Sequence, residues 1–226
     1  MGIILNIETA TKNCSVSLAK DGQMMAFLEQ NEEQYSHAEK LHLLIEEVLL
    51  KAGLKFQDLD AIGVSKGPGS YTGLRIGVSA AKGLCFALDK PLIAIPTLDV
   101  LAQSAEFAGL EMIVPLLDAR RMEVYSAVFN KSFIQIRETK AEIITEESFA
   151  EELSKGKVVF LGDGAKKVKE ILTHENAYFL ANSYPSAQTM CMLSEEKYKK
   201  KDFEDLAYFE PYYLKDFIAG KPKIFF

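Results

Sequence analysis

The sequence has few of the residues from which metal sites, disulfides and membrane spans are built. It contains three cysteines and three histidines in 226 residues, and no run of about 18 apolar residues that could cross a bilayer as a helix. Cys14, Cys85 and Cys191 form no C-x-x-C pair, and their apolar neighbours favour reduced thiols. The N-terminus lacks the basic region and cleavage site of a secretory signal, so we expect a cytoplasmic protein without membrane contact.

The histidines are spaced badly for binding one metal ion. His37 and His42 are five residues apart on a predicted helix. Their side chains would point about 140° apart, whereas two zinc ligands on a helix stand four residues apart. His174 lies in a predicted polar turn, and no H-E-x-x-H motif occurs. We therefore expect no metal site.

An excess of basic residues is also missing. The formal net charge is −6, whereas a chain that holds nucleic acid by itself needs a basic face to displace counterions from phosphates. Lysines do cluster at 166–169, 197–201 and 221–223. We interpret these clusters as solvated faces, with direct RNA contact as the alternative.

The predicted elements follow the same order in both halves of the chain. The first half has strands at 2–8, 14–19 and 23–29, a helix at 36–52, a strand at 59–65, a helix at 71–88, a strand at 91–95 and a helix from 97 to about 106. The second half has strands near 112–117, 123–129 and 133–144, a helix at 146–154, a strand at 157–161 and helices at 164–172 and 186–199. Two βββαβα halves are typical of the actin, sugar-kinase and Hsp70 superfamily, an α/β fold. We place the two lobes at 1–105 and 106–226.

The most informative stretch is a glycine-rich turn that leads into a helix, KGPGSYTGLRIGVSAAKGL at 66–84. Gly67 and Gly69 flank Pro68, so the turn can adopt a positive φ on either side of a fixed one. Backbone N–H groups at the start of the helix could hold an anion. However, the spacing is neither that of a P-loop nor G-x-G-x-x-G. A nucleotide-binding turn and a purely structural turn are both open.

Two predicted helices carry apolar residues over a wider surface than packing against one sheet would cover. In helix 71–88, Gly73, Gly77 and Ala81 recur every four residues. Each glycine costs ~1 kcal/mol against alanine, and small residues on one face let another helix approach closely. In helix 36–52, Leu43 and Leu50 add a second strip beside a broad apolar stripe. We interpret these helices as a patch that contacts another protein, with a wide core face as the alternative.

No pattern for nucleophilic catalysis occurs. Ser70 does not lie in G-x-S-x-G, and Cys85 lies in the middle of an apolar helix, which favours an inert thiol. Asp118 and Glu123 flank the turn DARRMEVY, where we expect Asp118 to pair with an arginine of the turn. A catalytic role for this carboxylate pair is the alternative.

Several segments together resemble the TsaB family, also called YeaZ. They are ILNIETATKNCSVSL, SHAEKLHLLIEEVL, DLDAIGVSKGPGSYTGLRIGVSAAKGL, PLIAIPTLDVLA, LLDARRMEVYSAVF and EPYYLKDF. The likeness is densest in residues 1–105 and weaker between 130 and 205. Two positions depart from the family pattern: Glu8 stands where Asp is usual, which puts a nucleotide or magnesium role in doubt, and Lys215 replaces Arg, which removes a bidentate fork.

The resemblance implies an actin-like (ASKHA, ribonuclease H-like) fold and a non-catalytic subunit in the threonylcarbamoyladenosine modification of tRNA. TsaB-like proteins pair with TsaD, a related catalytic subunit, and act together with TsaE and the enzyme TsaC. We therefore expect a TsaD-like partner, a TsaE-like ATPase reached through the complex, indirect contact with tRNA, and a homodimer when the chain is alone. The alternatives are a small-molecule kinase of the same superfamily and an M22-type metallopeptidase.

Mapped on this sequence, the resemblance places the partner contact on helices 36–52 and 71–88. The predicted partner-binding residues are His37, Leu41, Leu44, Val48, Tyr71, Leu74, Gly77, Val78, Ala81 and Lys82. Residues that could bind a nucleotide are Thr9, Thr11, Gly67 and Gly69. No catalytic residue, metal ligand or cofactor is expected for the lone chain, and ATP only in the assembled complex.

Overall fold

The computed structural model describes residues 2–31, 37–105 and 109–215, which form two lobes with one five-stranded sheet each. The first sheet contains β1 (Ile3–Glu8), β2 (Asn13–Lys20), β3 (Gln23–Asn31), β4 (Ala61–Gly67) and β5 (Leu92–Pro96). The second contains β6 (Met112–Asp118), β7 (Glu123–Asn130), β8 (Gln135–Ile143), β9 (Val158–Gly162) and β10 (Ala177–Ala181). The helices are α1 (His37–Ala52), α2 (Tyr71–Leu88), α3 (Thr97–Ala102), α4 (Ala150–Lys155), α5 (Ala165–Lys169) and α6 (Met190–Lys200).

Both sheets have the same strand order. The first sheet runs β3-β2-β1-β4-β5, and the second runs β8-β7-β6-β9-β10. In each lobe the first three strands pair antiparallel, and two further strands join in parallel. Helices lie between the parallel strands, because a parallel pair needs a long crossover connection. This is the two-lobed actin-like arrangement, so the fold prediction is confirmed.

The sequence of β1 explains its central place in the first sheet. Every residue after Ile3 is buried, as expected for a strand covered on both faces. Leu5 and Ile7 pack into the core under α1 and α2, whereas Ile4 faces the opposite side and packs near α6. Successive side chains of a strand point to opposite faces, so one apolar strand supplies two cores.

The chain returns to the first lobe after β10. Helix α6 packs on the first sheet, and residues 204–215, called the strap below, run along the same lobe. The Glu204 N–H donates to the Leu92 carbonyl at 2.9 Å, and the Tyr212 N–H donates to the Lys66 carbonyl at 2.7 Å. The boundary between residues 105 and 106 stays a prediction, but α6 and the strap lie against the first lobe.

The observed elements differ from the predicted ones at a few places. Strand β10 is absent from the predicted elements, because it is a short, half-buried edge strand without a clear alternating pattern. The helix predicted at 146–154 begins only at Ala150. Ser36, the first residue of the helix predicted at 36–52, lies outside the described residues, as do Lys221 and Lys223. Within the described ranges, no helix has the length and apolar character needed to cross a bilayer.

Candidate functional site

The turn between β1 and β2, residues 9–12, fixes the start of α2. The Thr9 hydroxyl donates to the Gly73 carbonyl at 2.8 Å, and the Ser70 N–H donates to the Ala10 carbonyl at 2.6 Å. Ser70 also caps the helix, because its Oγ accepts the Gly73 N–H at 3.2 Å. The orientation of α2 is therefore tied to the end of β1.

The same turn holds the start of α1. His37 is buried, and its Nε2 lies 2.7 Å from the carbonyl oxygen of Thr11. His37 is among the predicted partner-binding residues, but its ring faces the chain's own turn. The starts of both helices are thus bound to one turn.

Glu8 holds this turn from inside the protein. Its Oε1 accepts the Ala10 N–H at 2.6 Å and the Ser65 hydroxyl at 2.9 Å, while its Oε2 is buried without a hydrogen-bond partner. Burial raises the pKa of Glu8 to about 7, against the opposing effect of these hydrogen bonds. The inward carboxyl group thus connects the end of β1 to the turn at 9–12 and to β4.

Most of the predicted partner-binding residues are buried in the chain's own core, so the free chain exposes little of them, and their role in partner binding stays a prediction. The buried residues are His37, Leu41, Leu44, Val48, Leu74, Gly77, Val78 and Ala81. They are covered by the first sheet and by the turn at 9–12. Tyr71 is half-buried, with its ring centroid 4.9 Å from that of Tyr213. Lys82 donates to the strap, to the Phe209 carbonyl at 2.9 Å.

Other residues of the same two helices are exposed. On α1 they include Leu43, 64% exposed, and Leu50, 80% exposed. On α2, Phe86 is 83% exposed. Leu43 and Leu50 form the second strip predicted on helix 36–52. Phe86 is not among the predicted residues, because its only signal in the sequence is a large apolar residue beside small ones. We call the exposed residues of α1 and α2 the helix-pair face.

The glycines of α2 differ in what they contact. A β-carbon at Gly73 would overlap the Thr9 carbonyl oxygen, and one at Gly77 would overlap Thr9 Oγ1. Glycine is therefore required at these two positions by the packing of α2 against Thr9 of the same chain. A β-carbon at Gly83 would meet nothing within 4 Å. Gly83 is exposed and stands between Ser79 and Ala87, so the exposed small residues of α2 recur every four positions.

The residues proposed for nucleotide binding make contacts within the chain, and their nucleotide role stays a prediction. The hydroxyl of Thr11 accepts the Asn13 N–H at 3.2 Å. At Gly67 (φ 113°) a β-carbon would stand 2.5 Å from the Tyr212 carbonyl oxygen, and at Gly69 it would stand 2.5 Å from the Ala10 carbonyl oxygen. Close approach of two backbone segments therefore accounts for the glycine-rich turn.

A cleft of about 530 Å³ lies between the two lobes. It is lined by the turn at 9–12, the start of α2, the turn between β6 and β7, and the end of the strap. Lys215 of the strap forms an ion pair with Glu123 of β7. The strap therefore makes one wall of the cleft and connects the lobes.

The turn between β6 and β7 is braced by a residue that the sequence analysis missed. Lys167 Nζ donates to Asp118 Oδ1 at 2.6 Å and also to the carbonyls of Arg121 and Glu123. The expected ion pair of Asp118 with an arginine of the turn is therefore wrong: Asp118 Oδ1 accepts the backbone N–H of Arg120. No local signal marks Lys167, which is 49 residues from Asp118.

Metal-binding side chains do not converge in the part of the chain that the structure describes. No three histidine, cysteine, aspartate or glutamate side chains stand together there. His42 is exposed on α1, whereas His37 is buried against Thr11. The side chain of His42 thus faces solvent and that of His37 faces the turn at 9–12, so the two do not share one site.

Known proteins resemble this chain in sequence and in structure. The family model described as "TsaD: tRNA N6-adenosine threonylcarbamoyltransferase" matches residues 31–223. The tRNA threonylcarbamoyladenosine biosynthesis protein TsaB of Haemophilus influenzae is 31% identical over 228 residues, with 96% of this chain and 95% of that protein covered. TsaB of Escherichia coli is also 31% identical, with 96% of both chains covered.

A solved structure agrees with these sequence matches. YeaZ from Pseudomonas aeruginosa superposes with a TM-score of 0.79 at 26% identity, with 95% of this chain and 100% of that chain covered. The chain therefore belongs to the TsaB (YeaZ) family, within the wider group of proteins that the TsaD model describes.

Proposed function

We propose that this chain is a non-catalytic subunit in threonylcarbamoyladenosine modification of tRNA, and that it acts by binding and activating a TsaD-like catalytic chain. The partner would dock on the helix-pair face. The names of the TsaB relatives support the pathway, and the exposed residues of α1 and α2 support the mode of action.

The observation that carries this proposal is the open space beside Gly83 on α2. Glycine inside a helix costs ~1 kcal/mol against alanine, and nothing in the described chain uses the space at Gly83. Such a position suits the close approach of a helix from another chain. Phe86, Leu43 and Leu50 stand exposed on the same two helices, and full burial of each would contribute about 2 kcal/mol.

A TsaD-like chain is a fitting occupant because it shares ancestry with this one. The TsaD family model matches this chain from residue 31 to residue 223, a range that includes α1 and α2. Two similar helix pairs can pack about an approximate two-fold axis. For the same reason, the lone chain should form a homodimer through this face.

The remaining parts of the proposal follow from this role. We expect the chain to work in the cytoplasm, to hold no cofactor alone, to reach a TsaE-like ATPase through the complex, and to contact tRNA only indirectly. ATP would bind only in the assembled complex. Two observations support the expectation that the lone chain binds no nucleotide. The carboxyl group of Glu8 is turned inward to the Ala10 N–H, and other backbone segments lie close against Gly67 and Gly69.

Binding to the TsaD protein of the same organism tests the proposal. Isothermal titration calorimetry with the wild-type chain should give a 1:1 complex. Phe86→Glu and Gly83→Leu should weaken it at least about 100-fold, because each places a charge or bulk in a packed interface. Ile136→Glu is the matched control, since Ile136 is 56% exposed on β8 of the other lobe.

Reconstituted tRNA modification then links binding to function. Modification should require this chain and should fail with Phe86→Glu, while Ile136→Glu supports it normally. Full modification without the chain, or wild-type affinity of both helix variants, would overturn the proposal.

A further inference from the structure

The strap and α1 lie on opposite sides of α2. A β-carbon at Gly73 would stand 3.4 Å from the ring of His37, at the start of α1. Lys82 contacts the strap. These two positions of α2 are nine residues apart, or about two and a half helical turns, so they face opposite directions. The exposed residues Ser79 and Gly83 thus lie on a ridge with α1 on one flank and the strap on the other.

Several contacts hold the strap in a fixed conformation beside this ridge. Lys82 Nζ donates to the carbonyl of Phe209 at 2.9 Å and to that of Ala207 at 3.4 Å. Asp205 Oδ1 accepts the N–H groups of Ala207 at 2.9 Å and Tyr208 at 3.3 Å. The backbone on both sides of Tyr208 is therefore fixed.

The fixed conformation turns Tyr208 outward. Leu206 and Phe209 pack against the first core, whereas Tyr208 is 84% exposed. Phe86, 83% exposed, follows Lys82 by four residues, or about one turn of α2. Lys82 thus lies one turn before Phe86 on α2 and bonds to both neighbours of Tyr208. Aromatic residues of this kind are enriched where binding energy concentrates in interfaces.

We propose that the docking surface continues across Lys82 on to the strap, and that Tyr208 contacts the same TsaD-like partner as Phe86. This inference rests on the proposed function. Asp205 and Glu210 are exposed on either side of Tyr208. The matching part of the partner is therefore a pocket for one aromatic ring with basic side chains at its rim.

Substitution at Tyr208 tests the contact. In calorimetry with the TsaD protein, Tyr208→Ala should weaken binding about tenfold or more, and Tyr208→Phe, which keeps the ring, much less. Ile136→Ala on the opposite lobe should leave the affinity unchanged. The thermal unfolding midpoint of Tyr208→Ala should match that of the wild type, because the side chain is exposed.

The outcomes separate the extension from the proposed function. If Phe86→Glu abolishes binding while Tyr208→Ala behaves like Ile136→Ala, the extension is wrong and the proposed function stands. If Phe86→Glu and Gly83→Leu both bind normally as well, the proposed function fails, and the extension fails with it. A photo-crosslinking residue at position 208 should capture the TsaD chain, and one at position 136 should not.

Lys82 acts in this proposal as a positioning residue. Lys82→Met should increase amide hydrogen exchange in residues 206–210 and weaken partner binding as much as Tyr208→Ala does. The double variant should bind no more weakly than either single variant, because both changes remove the same contact. Additive losses would show that Lys82 contacts the partner directly and would overturn its positioning role.

Discussion

The hydroxyl oxygen of Thr9 occupies the space in which a β-carbon on Gly77 would stand. The same hydroxyl donates to the carbonyl of Gly73, one turn earlier in α2. Gly73 and Gly77 therefore both leave space for Thr9, and this close contact lets α2 lie directly on the end of β1. Gly83 has no such contact. Substitution of Gly77 should therefore disturb the fold of the free chain, whereas substitution of Gly83 should disturb only contact with another chain.

Alanine at these glycines should change stability in opposite directions. Gly77→Ala should destabilise the free chain by about 2 kcal/mol, because the new methyl group overlaps Thr9 and forces the turn or the helix to move. Gly83→Ala should stabilise it by up to about 1 kcal/mol, because the methyl group enters open space and alanine favours the helix. Urea unfolding of the free chain measures both effects. A neutral Gly77→Ala or a destabilising Gly83→Ala would contradict this account of α2.

The sequence allowed the fold and the helix pair to be predicted, but not the exposed side of the helices. Helix α2 has small or apolar residues on almost every side, so its periodicity does not separate Gly77 and Ala81, which are buried, from Gly83 and Phe86, which are exposed. The segments that decide this are distant in sequence: the turn at 9–12 covers one side, and the strap covers another. In α1 the polar neighbours are clearer, and Leu43 and Leu50 were separated from the core stripe correctly.

The isolated chain should bind Mg-ATP only weakly, with a Kd above about 1 mM. Glu8, at the end of β1, directs its carboxyl group to the Ala10 N–H and Ser65 and cannot reach a metal ion in the cleft without losing both bonds. Calorimetry with Mg-ATP and the lone chain measures this. Micromolar affinity would contradict the prediction and would favour the kinase hypothesis.

Loss of the Lys167 ammonium should loosen the turn between β6 and β7. Arg120 and Arg121 both have positive φ values, 69° and 52°, a conformation that costs roughly 1–2 kcal/mol for each residue other than glycine. Lys167 compensates through its bonds to Asp118 and to the backbone of the turn. Lys167→Met should therefore destabilise the chain by about 2 kcal/mol in urea unfolding.

Lys166 provides the matched control for this experiment. It precedes Lys167 on α5 and is exposed, so Lys166→Met should change stability by less than about 0.5 kcal/mol. Equal effects of the two variants would show that general charge, and not the bonds of Lys167, stabilises the second lobe.

Glu8 should make the free chain less stable as the pH rises from about 4.5 to about 7. Below this window the carboxyl group is protonated in both the folded and the unfolded chain. Within it, the unfolded chain releases the proton while the buried group keeps it, because burial raises the folded-state pKa to about 7. The total loss would be about 3 kcal/mol.

Glu8→Gln isolates this contribution, because the amide oxygen can still accept the Ala10 N–H and the Ser65 hydroxyl. The free energy of unfolding, measured from pH 4 to pH 8 (roughly the range over which the carboxyl titrates), should fall less steeply in this variant than in the wild type. Asp99, whose pKa burial raises to about 6, gives a control: Asp99→Asn should change the slope mainly below pH 6. If the wild type and Glu8→Gln differ by a constant amount at every pH, Glu8 is not the neutral acid that its burial indicates.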